Sequence, residues 1–206
     1  MSTPLQPDLR PTPPWLSRLV LLGGLLAMIL SLSLMSQVRH RPVELLLTDG
    51  HPFATARALE RRFAVARMRI WLTMFVIRCE ADPDNVASDD PVMTLLRALV
   101  EAKQRGVDVR VGLDLGRDRD TGDIEDKHVN AGQWLERHGI PVVLDEDTIT
   151  THAKVVVIDD RWVVLGSHNW TRSAMLMNRE VSVVIDDPAM VKRLEVELFK
   201  RIPGWE

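Results

Sequence analysis

Three short apolar runs rich in β-branched residues crowd the stretch from 153 to 185 and fix much of what this chain can become. They are Ala153–Ile158, Arg161–Leu165 and Val181–Ile185. Runs of this length and composition read as buried strands. The first two are separated only by Asp159-Asp160, a turn-forming pair, so they make a hairpin. Polar residues are confined to the strand ends. His152 and Lys154 stand two apart at the start of the first run, Gly166-Ser167-His168-Asn169 follows the second, and Glu180 precedes the third. Residues two apart on a strand share a face at roughly 7 Å, so His152 and Lys154 project together. Asp159 has the opposite parity, and its expected part is structural, holding its own turn through backbone hydrogen bonds.

The order His-x-Lys-x4-Asp, then Gly-Ser-x-Asn, resembles the signature of the phospholipase D superfamily. From average composition, a chance match at those positions has a probability on the order of a few per million. The resemblance implies an α/β/α sandwich with a mixed central sheet and a phosphodiesterase. A phosphodiester is an anion that repels nucleophiles, so a site must neutralise its oxygens and supply an attacking group at neutral pH. Histidine, with an ordinary pKa near 6.5, meets the second need. By resemblance His152 attacks, Lys154 holds the phosphate charge, and Ser167 and Asn169 donate to its oxygens. Glu180 pairs with the far nitrogen of the histidine, and Gly166 and Asp159 complete the motif. Superfamily enzymes use two such motifs, and here no second histidine is followed two residues later by lysine. The expected solution is a homodimer that brings two His152 side chains face to face, working through a covalent phosphohistidine. No metal and no cofactor are called for, since the chain has one cysteine, Cys79, and no His-Glu-x-x-His. His168, at the variable position, is expected to be an exposed turn residue. His51, His128 and His138 fall at helix ends without a partner pattern, and Asp114 at its strand end could line the site, although a strand-end acid is more often a cap.

At 206 residues the chain can bury one substantial core. Leu19 to Val38 carries no charge, with Trp15 and Arg18 before it and Arg39-His40-Arg41 after it. Such a stretch matches the hydrocarbon thickness of a bilayer. Residues 1–14 are therefore expected to be a disordered tail, 15–38 a single-pass membrane anchor or an uncleaved signal, and 43–206 the catalytic domain. The flanking charges balance, and analogy with secreted bacterial relatives favours an extracytoplasmic domain.

Beyond residue 42 strands and helices alternate, as in an α/β sandwich. Val43–Leu47 is a strand, and Pro52 opens a helix running to about Ala66. A long strand covers Arg69–Cys79. Asp90-Pro91 caps a helix whose Val92, Leu95, Leu96 and Leu99 form one stripe. Strand 107–115 follows, then a helix from about Asp123 to His138 burying Ile124, Ala131, Trp134 and Leu135, then strand 140–144. Asp187-Pro188 opens a last helix. This order resembles the single-motif bacterial nucleases of the superfamily and its mitochondrial phospholipase D group.

The substrate class is less constrained. Of 26 Lys+Arg and 29 Asp+Glu, only Arg10, Arg18, Arg39, Arg41 and Asp8 precede Pro42, which leaves a formal charge of −6 beyond it. That balance counts against tight clamping of duplex DNA, although Arg117, Arg119, Lys127, Arg172 and Arg179 could form a local basic rim. Compactness and the single motif put nucleic acid first, with membrane phospholipid as the alternative and an inactive scaffold third. Trp170 could touch a base or an acyl chain, but a core position is commoner for tryptophan.

Overall fold

The computed structural model describes residues 22–24, 26–28, 43–49, 51–79, 84, 90–116, 128–146 and 148–206. The chain divides into two units, 1–40 and 41–206. In the first, residues 22–24 and 26–28 are helical, with Leu22, Leu26 and Met28 exposed. The expected tail (1–14), the remainder of the anchor (15–38) and the positions Arg117, Arg119, Ile124 and Lys127 lie outside the described residues. Among the described residues no helix is long and apolar enough to cross a membrane.

Among the described residues, the second unit is built on one mixed sheet of seven strands. These are β1 (Val43–Leu47), β2 (Arg69–Met74), β3 (Asp108–Leu113), β4 (Val142–Leu144), β5 (Lys154–Ile158), β6 (Trp162–Gly166) and β7 (Val181–Asp186). Their spatial order is β1-β7-β6-β5-β2-β3-β4. β2, β3 and β4 run parallel, whereas β5, β6, β7 and β1 form an antiparallel meander joined to them by antiparallel pairing of β5 with β2. The helices are α1 (Ala54–Val65), α2 (Pro91–Gln104), α3 (Val129–Arg137), α4 (Arg172–Leu176) and α5 (Pro188–Glu197), followed by a 3-10 turn at Phe199–Arg201.

Local chemistry explains these boundaries. The Asp90 carboxylate accepts from the N–H groups of Val92 and Met93, and Pro91 takes the first helical position of α2. Asp187 does the same for α5 through Ala189 and Met190. The start of α1 differs from expectation. Pro52 sits one position into a turn closed by Ala54 N–H to His51 O (3.1 Å), with Phe53 at φ 67°. That is a type II turn, which suits proline there, so the helix begins only at Ala54. β2 is also shorter than the apolar run suggests. After Met74 the chain leaves the sheet, and Ile77 bridges to Trp170 while donating its N–H to His128 Nδ1 (3.2 Å). His128 thus has a partner that no sequence pattern disclosed. The helix expected from Asp123 is described from Val129, and α4 was not anticipated.

The two-residue period of the strands sorts the core into two clusters. On one face Leu46, Ile70, Leu72, Val109, Val111, Val156, Ile158, Val164 and Val184 pack with the buried residues of α1 to α4. On the other, Trp71, Val155, Val157 and Val163 meet Val191, Phe199, Ile202 and Trp205. Lys200 and Arg69 bond Glu195 at 2.8 and 2.9 Å and hold its pKa below the ordinary carboxylate value, tying α5 to β2. At the β7–β1 end of this second face Val43, Leu45, Leu47 and Val181 remain exposed.

Asp159 corrects one expectation. Instead of holding its own turn, its carboxylate accepts from the backbone N–H groups of Arg67 (3.1 Å), Met68 (2.7 Å) and Arg69 (3.2 Å), while the residue sits at φ 52°. It pins the chain where it enters β2 to the β5–β6 turn. Three backbone donors converging on one carboxylate are worth more than neutral pairs. Asp159→Ala should therefore lower unfolding stability by about 2 kcal/mol, read as a fall in urea midpoint. Asp159→Asn, which tolerates the left-handed backbone, should lose clearly less.

Candidate active site

Antiparallel pairing of β5 with β2 places the beginning of one beside the end of the other. Met74 faces Lys154, and Phe75 N–H bonds Ala153 O at 2.9 Å. β6 ends and β7 begins at the same edge, with Gly166 opposite Ser182. The sheet edge therefore gathers His152, Lys154, Ser167 and Glu180 from strand ends that are distant in sequence.

His152 lies just ahead of β5 and is exposed, whereas Lys154 is buried within it. The shared direction expected from strand parity is realised: Lys154 Nζ lies 3.2 Å from His152 Nδ1 and 2.7 Å from its carbonyl oxygen. An ammonium only donates, so Nδ1 accepts and a neutral His152 carries its proton on Nε2. Phe75 was not singled out from sequence. Its ring lies 4.3 Å from the His152 ring and 4.8 Å from Lys154 Nζ, so it backs both groups. Behind His152, the Thr151 N–H donates to Asp114 Oδ1 (2.8 Å) and the Thr151 hydroxyl donates to Asp145. Both aspartates are buried. Asp114 thus lies at the site, holding the residue before the histidine.

Ser167 and Glu180 are arranged differently from expectation. The Ser167 hydroxyl donates to Glu180 Oε2 and accepts from Val181 N–H (3.0 Å), while Asn178 donates to Glu180 Oε1 (3.0 Å). Among the described residues, the hydrogen bonds of the Glu180 carboxylate go to these two side chains and not to His152. Asn169 is half-buried, and its Oδ1 has no hydrogen-bond partner. Gly166 is required by packing, because a Cβ there would meet Ser182 Oγ at 2.2 Å and Val181 O at 2.3 Å.

The largest departure is His168. Far from being an exposed turn residue, it is 3% exposed. Its Nε2 lies 2.7 Å from Thr48 Oγ1 and 3.1 Å from Thr55 Oγ1, and its Nδ1 lies 2.7 Å from Ser182 Oγ. Burial lowers its pKa, opposed in part by the negative charge of Glu180. Trp170 is a core residue packed on Phe63. Of the suggested basic rim, Arg172 is paired with Asp90 (3.6 Å) and Arg179 with Asp49 (3.1 Å).

A sheet edge carrying His152, Lys154, Ser167 and Glu180 at strand ends is the arrangement that a phospholipase D-type motif implies. Residues 59–202 match the family described as cardiolipin synthase, PLD-like domain, and the chain belongs to that phospholipase D-like family. Human mitochondrial cardiolipin hydrolase is 37% identical over 143 residues, covering 68% of this chain and 51% of that protein. A phospholipase D of Rickettsia conorii is 33% identical over 95 residues, covering 46% of this chain and 44% of that one. The chain thus spans about half the length of the curated relatives it matches. The fold is shared with Nuc, a phospholipase D family member from Salmonella typhimurium, at TM-score 0.60 and 23% identity over 77% of this chain and 91% of that one. It is also shared with NucT from Helicobacter pylori, at TM-score 0.57 and 18% identity over 79% and 96%.

Two outcomes follow from this geometry. Gly166→Ala should destabilise the domain by about 1–3 kcal/mol through overpacking and displace the Ser167–Asn169 loop, seen as a lower melting temperature with reduced activity per folded molecule. The folded pKa of His168 lies below that of the unfolded chain, so on acidification the unfolded state takes up the proton first and stability is lost as pH falls through about 6.5. Urea midpoints measured from pH 7.5 to 5 should fall more steeply for the wild-type chain than for His168→Asn.

Proposed function

We propose that this chain hydrolyses a phosphodiester without a metal, through a covalent phosphohistidine on His152, and does so as a homodimer. The observation that carries the reading is the convergence of His152 and Lys154 (3.2 Å apart) with Ser167 and Glu180 at one sheet edge. His152 Nε2 would attack phosphorus as Lys154 neutralises the non-bridging oxygens. The partner's His152 would give a proton to the departing oxygen, then take one from the water that frees the enzyme. Nucleophilic attack by Nε2 needs the imidazole proton on Nδ1, where a carboxylate would hold it. Within one chain Lys154 occupies Nδ1 and Glu180 is engaged by Ser167 and Asn178. Attack therefore requires Lys154 to turn from Nδ1 to the phosphate oxygens and the ring proton to move from Nε2 to Nδ1.

For the substrate we favour a phospholipid. Relatives named cardiolipin hydrolase and phospholipase D support it, as does the rim: Met177 and Ile149, in the loops leading to Glu180 and His152, are 71% and 55% exposed. The charge-free stretch 19–38 would attach the chain to a membrane with its domain on the extracytoplasmic side. Nucleic acid, the first reading from sequence, is the second here. It is favoured by the exposed Arg172 and Arg179 beside the motif loop.

The test is turnover of phospholipid vesicles and of single-stranded DNA and RNA in excess EDTA, beside His152→Ala. Headgroup release that survives EDTA and falls at least about a thousandfold in the variant is the expected result. Cleavage of nucleic acid alone would move the substrate to the second reading. Full activity from a strictly monomeric preparation would overturn the dimer.

A further inference from the structure

We infer that His168 is a positioning residue for the phosphate-binding loop, acting as a neutral two-ended clamp between β7 and β1. It stands between Ser167 and Asn169, so its placement sets the direction of both neighbours. The hydrogen-bond directions are determined. The Thr48 hydroxyl donates to Ala174 O (2.9 Å), so its oxygen is left to accept from His168 Nε2–H at 2.7 Å. In the neutral ring Nδ1 must then accept from the Ser182 hydroxyl at 2.7 Å. The result is a one-way chain from Ser182 in β7, through His168, to Thr48 after β1 and on to α4, with Thr55 of α1 sharing Nε2.

This chain brackets Glu180. Ser182 lies two residues beyond it in β7, and Thr48 N–H bonds its carbonyl oxygen at 3.3 Å. Gly166 is the place where a side chain would displace Ser182 Oγ, so the motif glycine and the buried histidine depend on one hydroxyl. Hydrophobic packing alone would not require a histidine at a site closed to water; a ring with one donor and one acceptor at fixed angles is what joins three hydroxyl groups. Loss of the clamp would leave the loop folded but free to rotate Ser167 and Asn169 away from the attacking geometry, where small misplacements are costly.

The inference rests on the proposed phosphodiesterase reading, so its test has one arm that needs no turnover. His168→Phe keeps the volume and loses all three bonds, His168→Asn retains an amide near Nδ1, and Ser182→Ala and Thr48→Val cut the chain from either end. In the folded variants kcat should fall about 10- to 100-fold for His168→Phe with KM within about threefold, with partial recovery in His168→Asn. Val109→Ala, buried near the start of β3 at the end of the sheet opposite the site, should lose stability while keeping kcat. In the second arm, inorganic phosphate is titrated against the 15N signal of the Asn169 side-chain amide. His168→Phe and Ser182→Ala should need at least about tenfold more phosphate. Imidazole 15N shifts of the wild-type chain should report the Nε2–H form of His168. If His168→Phe does not fold, Ser182→Ala and Thr48→Val decide. Unchanged kcat and phosphate response in folded variants, or an Nδ1–H ring, would overturn the inference. A wild-type chain that hydrolyses no diester yet binds phosphate in the expected order sinks only the proposed activity. One that does neither overturns both.

Discussion

The antiparallel pairing of β5 against β2 is the constraint on which the rest of the molecule depends. It is the seam between a parallel half, made of β2, β3 and β4, and an antiparallel half, made of β5, β6, β7 and β1. In a wholly parallel sheet the start of β5 would lie at the opposite edge from the end of β2. Reversing direction at the seam puts His152 and Lys154 beside Phe75. The tight β5–β6 turn and the longer β6–β7 connection through α4 then deliver Ser167 and Glu180 to the same edge. Asp159 secures this seam at its far end, holding the chain before β2 against the β5–β6 turn.

Much of this was readable before any coordinates. Short β-branched runs bounded by Asp-Asp and Gly-Ser report strand ends directly, and Asp-Pro pairs mark helix starts, because both signals are local. The errors share a cause of the opposite kind. The run from Arg69 to Cys79 is uniformly apolar, so its pattern cannot reveal that the chain leaves the sheet at Met74 to meet Trp170 and His128. Pro52 carries the same fixed φ whether it opens a helix or turns the chain, and only the bond from Ala54 to His51 decides. The burial of His168 escapes the sequence pattern because its partners, Thr48, Thr55 and Ser182, are far away in sequence and chemically ordinary.

The site is organised in two layers of polar contacts. The outer one holds two bonded pairs, His152 with Lys154 and Ser167 with Glu180. The inner one holds Asp114, Asp145 and His168, which are buried and spend their hydrogen bonds on residues adjacent to the outer layer. A buried polar group is costly unless its bonds are made, so the inner layer can exist only in one arrangement. That rigidity is passed outward through Thr151 to His152, and through the loop backbone to Ser167 and Asn169.

The pairing of β1 with β7 has a further consequence in time. These are the first and last of the described strands in chain order, yet they are neighbours. During synthesis, at about 5–20 residues per second, β1 would wait on the order of ten seconds for its partner. Throughout that interval Val43, Leu45 and Leu47 stand in an unpaired, apolar strand next to the charge-free stretch that precedes it. Long-range pairings of this kind slow folding and leave sticky edges exposed. A nascent chain of this design therefore spends its most vulnerable moments with its amino-terminal strand looking for any edge to join, and its yield in a cell depends on whatever shelters that strand until β7 arrives.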